Sequence, residues 1–410
     1  MGGYYDFVTE TGEGFMQINL PYEPEWIIKT IRAHGFEAFV VGGCVRDTLL
    51  GRVPEDWDIT TSAKPEEIKA IFGKTVDTGL RHGTVTIIKN HKGYEVTTYR
   101  VDGEYHDGRH PDSVEFTSSL TEDLKRRDFT INAMAYSHET GVVDEFGGME
   151  DLEAKVIRCV GKARDRFTED ALRILRAIRF AAQLGFSIEE KTYEAIDEIA
   201  PNLKKVSKER IQTELTKLLL SDFPEKLSMV EETGISPYVT EGFGGIFQRD
   251  MDFGVLARLP REKSMRWAGC LRRLAPETAG KILKGLKLDN ETIMNGRVMA
   301  EAYQSPLNAD KTEIRRFLSR MTRYQFEGCL NLKELDGDLK VREIRRLWGE
   351  IEESGDCVSL KTLAVSGNDL LEVGIRPGKE VGEILKSFLE LVIEDPSMNK
   401  KEILLKQLNR

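Results

Sequence analysis

The sequence predicts an α+β protein: a small mixed β-sheet head followed by an all-helical remainder. Three observations carry this. Residues 17–155 are rich in Gly, Val and Thr and break into short alternating runs, the pattern of strands and turns. From 156 onward apolar residues recur at spacings of three and four, the helical period. The 410 residues are 40% hydrophobic and 31% charged, a balance that supports sizeable cores and roughly two to four domains.

The elements follow in order. Residues 1–16 form a loose extension, with Met16 as an alternative start. Periodicity predicts helices over 23–34 and 65–72 and strands over 39–41, 57–59, 84–88, 94–99 and 142–143. A further helix, 45–50, follows the glycine pair Gly42-Gly43. Beyond the head at 17–155, amphipathic helices are expected at 171–183, 209–220 and 342–352. Pro and Asn near 221–224 and 304–309 divide the helical part into 156–220, 221–306 and 307–410.

Composition excludes several classes. No apolar run approaches the ~18–20 residues of a membrane helix. The start Met1-Gly2-Gly3-Tyr4-Tyr5-Asp6 is polar and acidic, unlike a signal peptide, and Asp6 stands where a myristoylation signal wants Ser or Thr. A cytoplasmic protein without a membrane partner is expected. The five cysteines (44, 159, 270, 329 and 357) show no C-x-x-C spacing and read as buried free thiols. No histidine follows position 138, so no His-based hydrolase site can lie in the helical part. Net charge is −10, which argues against a generally basic nucleic-acid binder. The segment 155–217 is the exception, with 14 Lys/Arg against 10 Asp/Glu.

Two features carry chemistry. In Val41-Gly42-Gly43-Cys44-Val45-Arg46-Asp47 a strand runs through glycines into a helix, where backbone N–H groups can meet a phosphate and Arg46 can reach the same anion. In Asp56-Trp57-Asp58 two carboxylates, two residues apart in a strand, point to one face. Such a pair calls for a cation, and hard oxygen donors suit Mg²⁺. Glu95, on the strand at 94–99, is a candidate third carboxylate.

Gly42-Gly43-x-x-Arg46-Asp47 followed by Asp56-x-Asp58 resembles the nucleotidyltransferases of the polymerase-β superfamily. Later stretches narrow the resemblance. They are Arg100-x-Asp102-x-x-Tyr105-x-Asp107-x-Arg109, Glu122-Asp123-Leu124-Lys125-Arg126-Arg127-Asp128-Phe129-Thr130-Ile131-Asn132, Asp144-x-Phe146-Gly147-Gly148, Glu169-Asp170-x-Leu172-Arg173 and Glu209-Arg210-Ile211. Together they are similar to the class II CCA-adding tRNA nucleotidyltransferases and their poly(A) polymerase relatives. The specific motifs span about 42–219, with a looser likeness to the C-terminus.

The resemblance implies a nucleotidyltransferase head, a nucleobase-reading neck, a body, and a tail that binds tRNA. It implies template-independent addition of CCA to tRNA from CTP and ATP, with pyrophosphate released. The transfer would use two metals: Mg²⁺ on Asp56 and Asp58 would activate the primer hydroxyl, and pyrophosphate would leave with the second. Gly43, Arg46 and Arg127 would hold the triphosphate, and Arg176 and Arg179 would line the nucleotide site with Asp170 and Arg173.

That last pair has a chemical logic. Cytosine and adenine present an amino donor beside a bare ring nitrogen, whereas uracil and guanine present a carbonyl beside a ring N–H. A carboxylate can only accept and a guanidinium can only donate, so Asp170 and Arg173 suit C and A alone. Thr168 reads as the N-cap of a helix carrying Glu169 and Asp170 in its first turn and Arg173, Arg176 and Arg179 on one face.

The resemblance also implies a lid over the polar, turn-rich residues 100–111, with His110 where the family often has a second Arg. Its presence favours full CCA addition, because that loop is shortened in the family's C-only enzymes; A-only addition stays the closest alternative, and the acidic chain disfavours a poly(A) polymerase. A D-x-D glycosyltransferase would not need the Gly42-Gly43 turn or the Asp170/Arg173 pair. A non-catalytic RNA-binding protein would not incorporate nucleotides. Basic clusters at 272–273, 281–287, 315–323 and 342–346 are candidates for contact with folded RNA.

Overall fold

The computed structural model describes residues 8–10, 16–103, 113–247 and 251–409. The chain divides into two compact units, one ending at Thr240 and one beginning at Glu241.

The first unit is built on a seven-stranded sheet. Its strands are β1 (Ala38–Val41), β2 (Ile59–Thr61), β3 (Thr75–Gly79), β4 (Thr84–Lys89), β5 (Lys92–Thr98), β6 (Met134–Ser137) and β7 (Gly141–Asp144). Their order is β7-β6-β1-β2-β5-β4-β3, and only β2 and β5 run parallel. All four residues of β1 are buried, as a central strand covered on both faces requires. β5 instead alternates, with Tyr94, Val96 and Thr98 inside and Glu95 outside.

Helix α1 (Tyr22–Ala33) covers the sheet with Ile27, Ile28 and Ile31 and carries Glu23 and Glu25 at its positive end. The short helices α2 (Gly43–Leu49), α3 (Pro65–Ile71), α4 (Leu120–Lys125) and α5 (Gly148–Ala154) complete the head. Beyond them come α6 (Ala163–Glu169), α7 (Leu172–Leu184), α8 (Glu190–Ile199) and α9 (Lys208–Leu219). The helical stretch is not pure: Val156–Ile157 pairs in parallel with Ser187–Ile188.

The structure corrects three local expectations. Strand β2 begins at Ile59, so Asp56 and Asp58 precede it rather than lie within it. Thr168 is no N-cap: it sits inside α6, its hydroxyl donating to the Arg164 carbonyl at 2.7 Å. The helix expected to carry Asp170 and Arg173 together is broken, because Asp170 closes α6 and Arg173 belongs to α7. Most of the expected lid, residues 104–111, falls outside the described residues; its described start, Arg100–Asp102, pairs antiparallel with Val114–Phe116, which follows it.

The second unit is helical, with helices such as Lys263–Leu271, Asn290–Gln304, Arg323–Leu335 and Lys379–Glu394. One of its apolar cores gathers Ile314, Phe326, Leu330 and Ile344, and another Val365, Leu370, Phe388 and Val392. Many of the basic residues singled out in its sequence are used internally. Arg272 is buried against Asp336, Arg315 donates to Asp356 and to the Ile393 carbonyl, and Arg346 pairs with Glu343 and Glu350. All five cysteines are free and buried. Among the described residues no helix is long and apolar enough to cross a membrane.

Candidate functional site

The site gathers where β1 ends. The Gly42 N–H donates to the Met134 carbonyl, and the Val41 N–H to the carbonyl of Asp58, each at 3.0 Å. Backbone hydrogen bonds thus fix the glycine turn against the acid pair. Gly42 adopts φ +81° and ψ −128°, a conformation that favours glycine. A Cβ there would also lie 3.0 Å from Arg127 Nη1, so the missing side chain lets the guanidinium approach the turn.

Asp56 and Asp58 are exposed and alternate with the buried Trp57 and Ile59, so both acids look outward although neither lies in a strand. Glu95 stands beside them, since Ile59 pairs with Val96 in the parallel register of β2 and β5. Asp58 is raised above the ordinary carboxylate range, first by the protein packed around it and then by Glu95 and Asp56. Arg127 pulls the other way.

Among the described residues no three acidic, His or Cys side chains form a ready-made metal cage. The donor chemistry nevertheless fits a hard divalent ion, because Mg²⁺ is commonly bound by one or two carboxylates plus substrate phosphates. The mutual repulsion of Asp56, Asp58 and Glu95 is the charge such an ion would offset.

Arg46 is 8% exposed. Its Nε and Nη2 donate to Asp47 at 2.9 Å each, and its Nη1 to Asn132 Oδ1 at 2.6 Å. Gly43 adjoins it, a Cβ there lying 3.6 Å from Arg46 Nη2. Asn132 in turn donates to Asp128 at 3.0 Å, and Asp128 accepts two bonds from Arg176, at 2.9 and 2.6 Å. Arg176 also lies 3.9 Å from Glu214, which binds Arg179 at 2.5 Å.

The network therefore runs from the glycine turn across to α9. One ring braces it: Phe180 lies under the guanidinium carbons of Arg46, Arg176 and Arg179 at 4.9, 5.4 and 3.8 Å. Arg179 is 5% exposed, so it lies within the helical layer and meets Glu214 and Gln183 there.

Asp170 and Arg173 meet through the backbone, the Arg173 N–H donating to the Asp170 carbonyl at 2.9 Å. Asp170 Oδ1 accepts the Leu172 N–H at 3.1 Å, capping α7, and its Oδ2 accepts Arg210 Nη2 at 2.6 Å. Arg173 donates to Glu169 and to the carbonyls of Arg166 and Arg126. Each Asp170 oxygen keeps a lone pair for a further donor.

Asp128, Asn132, Phe180, Arg210 and Glu214 were not among the predicted site residues. Asp128 and Asn132 share a four-residue spacing, and Phe180 sits among the in-phase arginines; those were readable signals. The partnership of Arg210 with Asp170 spans 40 residues and left none.

Comparisons with known proteins bear on this arrangement. A family model of the Poly A polymerase head domain matches residues 38–158. One of the RNA- and SrmB-binding site of polymerase A matches 185–243, and one of tRNA nucleotidyltransferase domain 2 matches 260–408. The chain is 38% identical over 396 residues to a CCA-adding enzyme of Pediococcus pentosaceus, covering 94% of this chain and 96% of that one. It is 39% identical over 386 residues to a CCA-adding enzyme of Geobacillus thermodenitrificans, covering 92% and 93%.

Among solved structures, the Bacillus stearothermophilus CCA-adding enzyme in complex with CTP superposes with a TM-score of 0.82 at 34% identity, over 96% of this chain and 98% of that one. A Thermotoga maritima CCA-adding enzyme complexed with tRNA shares the fold, at a TM-score of 0.64, 23% identity and 94% of each chain.

Proposed function

This chain belongs to the CCA-adding enzyme family, and from that premise we propose that it appends C, C and A to the 3′ end of tRNA, taking CTP and ATP and releasing pyrophosphate. The observation that supports the chemistry is the close meeting of Gly42, Arg127 and Asp58 at the end of β1.

The family implies a divalent metal ion. In our reading Asp56 and Asp58 hold it as Mg²⁺, where it supplies acidification of the primer 3′-hydroxyl and charge neutralisation of the departing pyrophosphate. Glu95 adds negative charge beside that pair. The turn at Gly43 and the guanidinium of Arg46 bind the triphosphate. Arg127, drawn against Gly42, stabilises the charge that builds on it. Asp170 accepts the amino proton of cytosine or adenine, while Arg173 turns to donate to the bare ring nitrogen. Arg176 and Arg179 complete the nucleotide site by fixing the frame around Phe180. No covalent intermediate is needed; catalysis is positioning and charge neutralisation. The helices of the second unit supply the tRNA-binding body and tail.

The test is extension of two tRNAs, one ending before CCA and one ending in CC. Extension of the first with CTP and of the second with ATP is the expected result. Extension of the second alone makes the protein an A-adding enzyme. Asp56→Ala is expected to abolish transfer while tRNA affinity stays nearly intact.

A further inference from the structure

We propose that Asp123 is a positioning residue for the metal pair: it draws the Arg127 guanidinium away from Asp58, leaving that acid open to a divalent cation. The proposal rests on the reading that Asp56 and Asp58 hold the cation, and it assigns a task to a carboxylate the mechanism above does not use.

Asp123 lies in α4 and is 0% exposed. A carboxylate so placed is costly unless opposite charges and hydrogen bonds surround it. Its Oδ1 accepts from Arg126 Nε at 2.9 Å and Nη2 at 2.7 Å, and from the Arg100 N–H at 3.4 Å. Its Oδ2 accepts from the Thr60 hydroxyl at 3.0 Å and from Arg127 Nη2 at 3.5 Å. Thr60 is two residues beyond Asp58 on the same stretch of chain, so one buried acid ties the strand that follows the metal pair to the guanidinium beside the glycine turn.

Arg127 is not fully satisfied in that position. Its Nε is buried with no hydrogen-bond partner, and its bond to Asp123 is long. The guanidinium is thus bonded to Asp123 and feels Asp58 only through space. Its electrostatic partners include both Asp123 and Asp58, with Asp123 the stronger. Were the Asp123 charge removed, the guanidinium would swing toward Asp58 and compete there with a metal.

The probe is Mn²⁺ alone, titrated into the full chain and followed by electron paramagnetic resonance. Asp123→Asn is expected to weaken Mn²⁺ binding about 10- to 100-fold. The double variant Asp123→Asn/Arg127→Met is expected to return to the wild-type affinity, which general disruption of the fold would not produce. Wild-type affinity in Asp123→Asn, or a double variant as weak as the single, overturns the proposal.

If circular dichroism shows Asp123→Asn unfolded, Arg127→Met decides. Unchanged Mn²⁺ affinity supports an arginine already drawn off the metal pair, whereas tightening by about tenfold or more overturns it. Asp58→Asn separates the two levels. Mn²⁺ binding indifferent to Asp58 sinks the metal assignment itself and this proposal with it, whereas loss of binding there leaves Asp123→Asn to judge the proposal alone.

Discussion

Asp128 shows how one carboxylate can carry both structure and pH dependence. Burial alone would push its carboxyl upward; Arg176, Asn132 and Arg173 outweigh that and take it well below the usual range. A depressed folded value stabilises the protein above the unfolded value, about 3.9, and that stability is lost as pH falls through the folded one. Asp128→Asn should therefore cost roughly 3 kcal/mol at neutral pH, because Arg176 loses the carboxylate it is hydrogen-bonded to. The melting-temperature gap between variant and wild type should narrow below about pH 4. A gap that widens on acidification would contradict this.

At Asp170 the prediction is one of choice rather than stability. Asparagine presents a donor as well as an acceptor, so Asp170→Asn should admit UTP and GTP and cost about 1–3 kcal/mol of discrimination, read from single-nucleotide incorporation rates. The residue identities at this scale were legible, since Asp56, Asp58, Asp170 and Arg173 stand out by type and spacing. Their pairings were not. Arg46 finds Asn132 across 86 positions, and no local pattern encodes such a bond.

Among the elements, β1 and α2 were readable because a continuous apolar run meets two glycines. Other elements hid for physical reasons. The edge strand β3 exposes most of its Thr-Val-Asp-Thr-Gly sequence and so shows no apolar alternation. The wholly buried β6 lies inside an apolar run with no period of its own. The outward Asp56 and Asp58 mimic strand alternation one step before the strand begins. The break between α6 and α7 escaped notice because Asp170, acidic and early, suits a first helical turn as well as a junction.

Gly42 is the element-level test. Gly42→Ala must hold an alanine at φ +81° and place its methyl 3.0 Å from Arg127 Nη1. The backbone strain should cost about 1–3 kcal/mol in chemical denaturation. The displaced arginine should slow nucleotide transfer by more than the loss of folded protein explains, which comparison of rates at matched folded fraction will check.

The whole chain reads as an acidic protein with a locally basic neck. The composition and helical period of the second unit were legible, but the fate of its arginines was not. Arg272 and Arg315 are buried, and Arg345 and Arg346 answer acids on their own or neighbouring helices. Charge runs in the sequence thus overstate the basic surface left for RNA phosphates. The acids that cancel them lie up to tens of residues away, as Asp336 does from Arg272.

The sealed cysteines give the two units separate stopwatches. Desolvation pushes the thiols of Cys44 in the head and of Cys270 and Cys329 in the second unit up to about 12. Only the thiolate attacks an alkylating agent. Iodoacetamide should therefore leave the native chain untouched, and each sulfur should become modified only as fast as its own surroundings open. Peptide-resolved alkylation would then time the breathing of head and second unit independently, without any introduced label.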